Sequence, residues 1–215
     1  ILYLYLFLKI SFKKILLIFL ITLVTTSPYL IRNYIIFEKI TVLNSFGYNL
    51  WKGNHPYAKE NSIVAGSMLV TEDIMQKVDE VKIDNFYRIY WDKIFLNEAI
   101  KNIKSDPVGH FIFCIKKAIF FILIDFKSLD PKYWNPLHYI PLLIFGVCSI
   151  IGVLLSNKKS AELNYLIFVL FVNVAIFSAV SIMPRYKLVI LPLQIIFTVI
   201  LFDFFKKIIK KKKSY

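Results

Sequence analysis

The sequence predicts an all-α polytopic membrane protein, with about four transmembrane helices and further helices at the external membrane surface. Three observations predict it. Long blocks of the chain carry no charge, basic residues collect at the ends of those blocks, and one intervening stretch shows the period of amphipathic helices. Lys132 and Lys158 enclose 25 uncharged residues, Glu162 and Arg185 enclose 22, Lys14 and Arg32 enclose 17, and Lys187 and Asp203 enclose 15. About 20 residues rising ~1.5 Å each match a hydrocarbon layer of ~30 Å. A buried soluble helix could account for one such block, but not for four.

The net charge of +13 is not a nucleic-acid signature. Between Pro28 and His110 the chain holds 10 basic and 10 acidic residues, so the whole excess comes from the remaining 17 basic and 4 acidic residues. These flank the apolar blocks or lie in the tail from Lys206 to Lys213, as topology signals do, and they attract anionic lipid. A nucleic-acid binder would gather them on one folded surface. Partners are therefore membrane lipids and not nucleic acid.

The first span is expected over Ile15 to Ile31, preceded by Lys9, Lys13 and Lys14. With these, Lys158, Lys159 and the tail all placed in the cytoplasm, the chain divides into four parts. Residues 1–31 form an N-terminal transmembrane segment and 32–134 an external segment. Residues 135–205 form three spans (Leu137 to Leu155, Leu163 to Met183, Leu188 to Phe205), and 206–215 a basic cytoplasmic tail. The chain begins at Ile1 within apolar sequence, which reads as the continuation of a longer protein and not as a cleavable signal peptide.

Within the external segment, turn chemistry is expected at Phe46-Gly47-Tyr48-Asn49 and at Gly53-Asn54-His55-Pro56. Thr71 to Lys104 reads as helix. Ile74, Val78 and Val81 form one apolar face, Phe86, Ile89, Leu96, Ile100 and Ile103 another, and Pro107 marks the stop. His110 to Phe126 is apolar but carries Lys116 and Lys117 at its centre. A mid-bilayer Lys costs roughly 2.5–3.5 kcal/mol, and a crossing here would invert everything downstream. The segment is expected to lie on the outer leaflet with its lysines toward lipid phosphates.

Few residues are candidates for chemistry. Arg32, at the exit of the first span, is either a snorkelling anchor or a bidentate phosphate ligand. Arg185 and Lys187 are external cations that the positive-inside pattern disfavours, so anchoring and phosphate binding compete for them as well. Tyr48, Asn49, Trp51, Gly53 and Asn54 combine ring faces, amides and permissive glycines, which suits sugars as much as protein packing. Glycine phosphate loops, serine-nucleophile motifs and His/Cys metal spacing are absent from the sequence, so no metal and no cofactor is expected. His55, His110 and His138 are dispersed and read as structural, Asp125 and Asp130 as helix-end and turn residues, and Cys114 and Cys148 as small buried hydrophobes.

Several of these blocks resemble the C-terminal part of a GT-C class polytopic glycosyltransferase. The similar group is the bacterial family related to protein O-mannosyltransferases and lipid A aminoarabinose transferases, of the glycosyltransferase family 39 type. The resemblance rests on Pro28-Tyr29-Leu30-Ile31-Arg32-Asn33-Tyr34, on Phe37 to Val42, and on Phe46 to Pro56. Ile103-Lys104-Ser105-Asp106-Pro107, Arg185-Tyr186-Lys187-Leu188 and Leu191-Pro192 extend it over nearly all of the chain from Ile15. The family's paired glycines are Phe46-Gly47 here, and His55 stands where the family commonly has a second Asn.

The resemblance implies transfer of a sugar from a polyprenyl-phosphate donor to an unspecified acceptor on the external face of a bacterial inner membrane. It implies Arg32, Arg185 and Lys187 as lipid-phosphate ligands and Tyr48 to Asn54 as part of a cavity wall. The family's catalytic acids have no counterpart in this chain, so no catalytic residue is assigned and the chain alone is expected to be inactive. A non-catalytic membrane subunit or lipid-binding module is the competing expectation.

Overall fold

In a computed structural model of the chain, the described residues are 10–38, 40–41, 45–56, 70–126, 128, 131–155 and 160–212. Lys9, the Lys158-Lys159 link, Asp130 and Lys213 lie outside them. The described residues are all-α: α1 Phe12–Phe37, α2 Phe46–Asn54, α3 Glu72–Asp79, α4 Tyr87–Ser105, α5 Pro107–Ile122, α6 Pro136–Leu155, α7 Ala161–Ala179 and α8 Lys187–Lys212, with 3-10 turns at Pro131–Trp134 and Pro184–Tyr186. α1, α6, α7 and α8 are long and apolar enough to cross a bilayer, and the protein is a multi-pass membrane protein. The chain forms two compact units, one of residues 1–51 and 70–101, the other of 52–69 and 102–215.

The first unit contains α1, which has apolar side chains exposed all round it, Leu17, Ile18, Phe19, Leu20 and Ile21 among them. A helix apolar on every face needs lipid as its solvent. Its hydroxyls are already satisfied: Thr22 donates to Ile18 O at 2.8 Å and Thr26 to Thr22 O at 2.8 Å. Pro28 has no N–H to offer the carbonyl four residues back, Val24 O. Ser27 Oγ donates to that oxygen at 2.8 Å instead, which lets the proline stand inside a lipid-facing helix.

The rest of the first unit is an aromatic core in which Trp51, Ile74, Val78, Phe95 and Ala99 are buried, with Tyr48, Leu50, Val70, Trp91 and Ile94 packed on them. Two expectations are corrected here. Phe46 to Asn54 is a helix, not a turn followed by a second turn. Its first-turn N–H groups are capped from far along the chain, Gly47 N and Tyr48 N donating to the two Asp92 carboxylate oxygens at 3.0 and 2.8 Å. The Thr71 to Lys104 stretch breaks after Asp79 and resumes at Tyr87. Ile74 and Val78 are buried as expected, but on α4 Phe95 and Ala99 turn inward while Ile100 is exposed.

In the second unit, α8 packs along α6 and also touches α7, and α5 packs along α7. Gly152 makes the α6–α8 approach possible, since a Cβ there would strike Phe197 O. Gly146 faces Ile122 O, and that same oxygen accepts a 2.8 Å hydrogen bond from Gln194. Level 146 thus matches level 194, and level 152 matches level 197, so α6 and α8 run parallel.

Helix α5 starts from an Asp106 cap that accepts from Gly109 N at 2.8 Å, with Pro107 in its first turn. Its Phe121 ring is 5.3 Å from Phe177, while Lys117, one turn earlier, reaches the group bonded to Ala179 and Val180. α5 therefore runs antiparallel to α7. Ile122 stops beside Gln194, ~10 Å along α8 from Lys187, and α6 then begins at the end of the bundle that holds Lys187. The expectation that both lysines of this helix face lipid phosphates is corrected: Lys117 points inward and only Lys116 is exposed, while the helix packs along α7.

Candidate functional site

The candidate site of the second unit is built around the end of α7 and the segment leading to Lys187. Asn54 is its central polar group. Its Nδ2 donates to Ala179 O and Val180 O, both at 3.1 Å, giving acceptors at the α7 C-terminus a donor that the helix cannot supply. Its Oδ1 accepts from Lys117 Nζ at 2.8 Å, and the same ammonium donates to Gly53 O at 2.9 Å. Lys117 Nζ also lies 4.9 Å from the Phe113 ring centroid. Gly53 allows this contact, because a Cβ there would collide with Val180 O and Ser181. The ammonium is removed from water but solvated by carbonyl dipoles and a ring face, as a buried charge requires.

Beyond this knot lie three cations. Lys187 is 5% exposed, and its Nζ has no hydrogen-bond partner among the described residues. Arg185 is exposed, with its guanidinium carbon 5.5 Å from the Tyr186 ring centroid. Tyr186 is itself stacked on Phe177 at 4.9 Å. Lys52 is held below the usual lysine range, first by burial and then by the positive charge of Arg185. Ser181 is also buried, and its hydroxyl lacks a partner among the described residues. Buried polar atoms are nearly always paired, so the unpaired Lys187 ammonium is a group ready to receive an acceptor, and the Ser181 hydroxyl, six positions earlier in the chain, is a second unpaired group. A phosphate or carboxylate oxygen would satisfy the Lys187 ammonium, and an anion beside Arg185 and Lys52 would relieve their repulsion.

No family model, curated protein or solved structure matches the chain. The site must be read from its own residues.

Of the residues singled out in the sequence, Gly53, Asn54, Arg185 and Lys187 fall in this second unit. Arg32, Tyr48, Asn49 and Trp51 fall in the first. Arg32 is exposed on α1, whereas its neighbour Asn33 is buried and donates to Thr41 O at 2.7 Å. Tyr48 is 4.8 Å from Trp91 and 5.2 Å from Phe95, and Trp51 is 4.8 Å from Phe95, so both rings belong to the aromatic core. Asn49 Nδ2 donates to Ser45 O at 2.7 Å. Among the described residues, no three His, Cys, Asp or Glu side chains come together in a way that could hold a metal.

Sequence reasoning missed Lys52, Ser181 and the inward direction of Lys117. A signal for Lys117 was present. Phe113, Lys117 and Phe121 recur at intervals of four, which puts the lysine on the apolar stripe of α5, and all three are buried.

Proposed function

We propose that the chain is the C-terminal part of a membrane glycosyltransferase, which moves a sugar from a polyprenyl-phosphate donor to an acceptor on the external membrane face. In this reading Arg185 and Lys187 hold the donor phosphate with Lys52 beside Arg185, and Arg32, in the first unit, binds a lipid phosphate separately. The enzyme belongs to a bacterial inner membrane, with its C-terminus in the cytoplasm. The observation that carries the reading is the buried Lys187 ammonium without a partner, at the head of an apolar helix able to span the bilayer. An anion carried on a long apolar chain meets both requirements at once. The sequence resemblance at Arg185-Tyr186-Lys187-Leu188 supplies the reaction.

Holding the phosphate is a catalytic contribution in such a transfer. Charge grows on the departing phosphate as the sugar–oxygen bond breaks, and fixed cations in a water-poor site stabilise that charge more than the ground state. The acceptor hydroxyl would need a base, which the resemblance places upstream of the part matched here.

The test is binding of a polyprenyl phosphate to the protein in nanodiscs. Lys187→Met is expected to weaken it by about 10-fold or more, as is Arg185→Ala, since each removes a charge-assisted hydrogen bond. Wild-type affinity in both variants would sink the assignment. Transfer of labelled sugar from a polyprenyl-phosphate-linked sugar, assayed with the full reading frame expressed, separates the enzyme from a non-catalytic lipid-binding subunit, for which binding would occur without transfer.

A further inference from the structure

A second site lies in the first unit and shares no residue with the phosphate ligands proposed above. Ser45, Tyr87, Arg88 and Trp91 line a cavity of about 350 Å³, at the lower end of the range for small-molecule sites. Tyr87 and Arg88 open helix α4, and Trp91 follows one turn later, so one helical face presents two aromatic rings and a guanidinium. Trp91 is held on its inner side by Tyr48 at 4.8 Å and Phe95 at 4.6 Å, so its ring is fixed before any ligand arrives. Arg88 is exposed and has neither an ion pair nor a hydrogen bond among the described residues.

The two carboxylates four positions before and after Arg88 in the chain are already engaged. Both Asp92 oxygens accept from Gly47 N and Tyr48 N, and Asp84 Oδ1 accepts from Phe86 N at 2.8 Å. Arg88 therefore remains the free charge of the cavity. Its position in the first turn of a 19-residue helix adds the positive end of the helix dipole.

We propose that this cavity binds a pyranose ring carrying an acidic group, a carboxylate or a phosphate. The apolar face of the ring lies against Tyr87 and Trp91, the Arg88 fork takes the anion, and the Ser45 hydroxyl takes a ring hydroxyl. An aromatic wall alone would accept any apolar molecule of the right size, and a lone surface arginine any anion. Their combination at monosaccharide size selects an acidic sugar. The proposal does not depend on the transferase reading, because it concerns different residues and is read out by binding alone.

The test is ligand-observed NMR titration of the detergent-solubilised protein with glucuronate, glucose 6-phosphate, glucose and inorganic phosphate. Saturable binding of at least one acidic sugar is expected in roughly the millimolar range, tighter than both glucose and inorganic phosphate. Whichever acidic sugar binds better identifies the anion. Arg88→Gln is expected to weaken it about 10-fold, and Arg88→Lys less, because Lys keeps the charge but loses the fork. Tyr87→Ala is expected to weaken glucose and the acidic sugars alike. Arg88→Gln alters an exposed side chain, and an unchanged melting curve verifies its fold. Equal affinity of wild type and Arg88→Gln, or no saturation by either acidic sugar at tens of millimolar, overturns the proposal.

Discussion

Lys117 shows what a buried charge requires of its neighbours. Its ammonium has two near-ideal acceptors, and one of them, Asn54, also serves the end of α7. The two partners should therefore respond unequally to mutation. Asn54→Leu leaves a buried ammonium short of an acceptor and two carbonyls short of a donor, so a loss of about 3–5 kcal/mol is expected. Lys117→Met removes the charge itself and leaves only two acceptors unsatisfied, for about 1–3 kcal/mol. The double variant should be no less stable than Asn54→Leu alone, and additive losses in denaturation of the solubilised protein would contradict the coupling. His55, next along the chain, is held below its ordinary value of 6.5 by burial. Between its folded value and 6.5 the unfolded chain binds more protons, so stability rises with pH through that window and declines on acidification below about 6.5. His55→Gln should flatten melting temperature against pH in that range. An unchanged slope would place the dependence elsewhere. These roles were only partly legible in advance. Asn54 was marked by its company of Gly53 and His55, but no local pattern announces that its partners are 63 and 125 residues away.

At the scale of elements, the long apolar helices were visible because lipid imposes a composition on each span independently of its neighbours. Pro136–Leu155 departs from the expected Leu137 to Leu155 by one residue. Helix α2 was not visible, and the reason is physical. Phe46-Gly47-Tyr48-Asn49 has poor intrinsic helix propensity, and its cap is supplied by Asp92, about 45 positions away, where no sequence window would find it. The same carboxylate explains the face of α4: Asp92 must point at α2, which turns Trp91, Phe95 and Ala99 toward the core and leaves Ile100 out. Asp92→Asn keeps the size of the side chain but removes its charge and one of its two acceptor oxygens. A loss of about 1–2 kcal/mol is expected, from the cap and the helix dipole together. Amide hydrogen exchange gives the specific readout, with faster exchange at Gly47 and Tyr48 than in α6. Uniform acceleration across the chain would mean that Asp92 does not act as a cap.

For the whole molecule, the remaining question is which face of the membrane each end occupies, and the second unit narrows it. α6 and α8 run parallel and α7 lies between them in the chain, so these three helices take the chain from one side to the other. α5 leaves that count unchanged. It approaches from the Lys187 end, stops at the level of Gln194, and the chain begins α6 again at the end where α5 entered. In the proposed orientation the basic residues set the direction. Lys206, Lys207 and Lys210 follow the last apolar stretch of α8, and each adds to a cytoplasmic preference set by the positive-inside effect. Arg185, Lys187 and Lys52 stand at the opposite end of this unit, where that effect disfavours them and an anionic ligand would compensate. Single cysteines test this in a Cys114→Ala, Cys148→Ala background. A cysteine at exposed Arg185 should react with a membrane-impermeant maleimide in intact cells, whereas one at Lys207 should react only after lysis. Labelling of Lys207→Cys in intact cells, with Arg185→Cys protected, would reverse the orientation. It would also move the cation site to the cytoplasmic face, where a donor used for external transfer could not reach it.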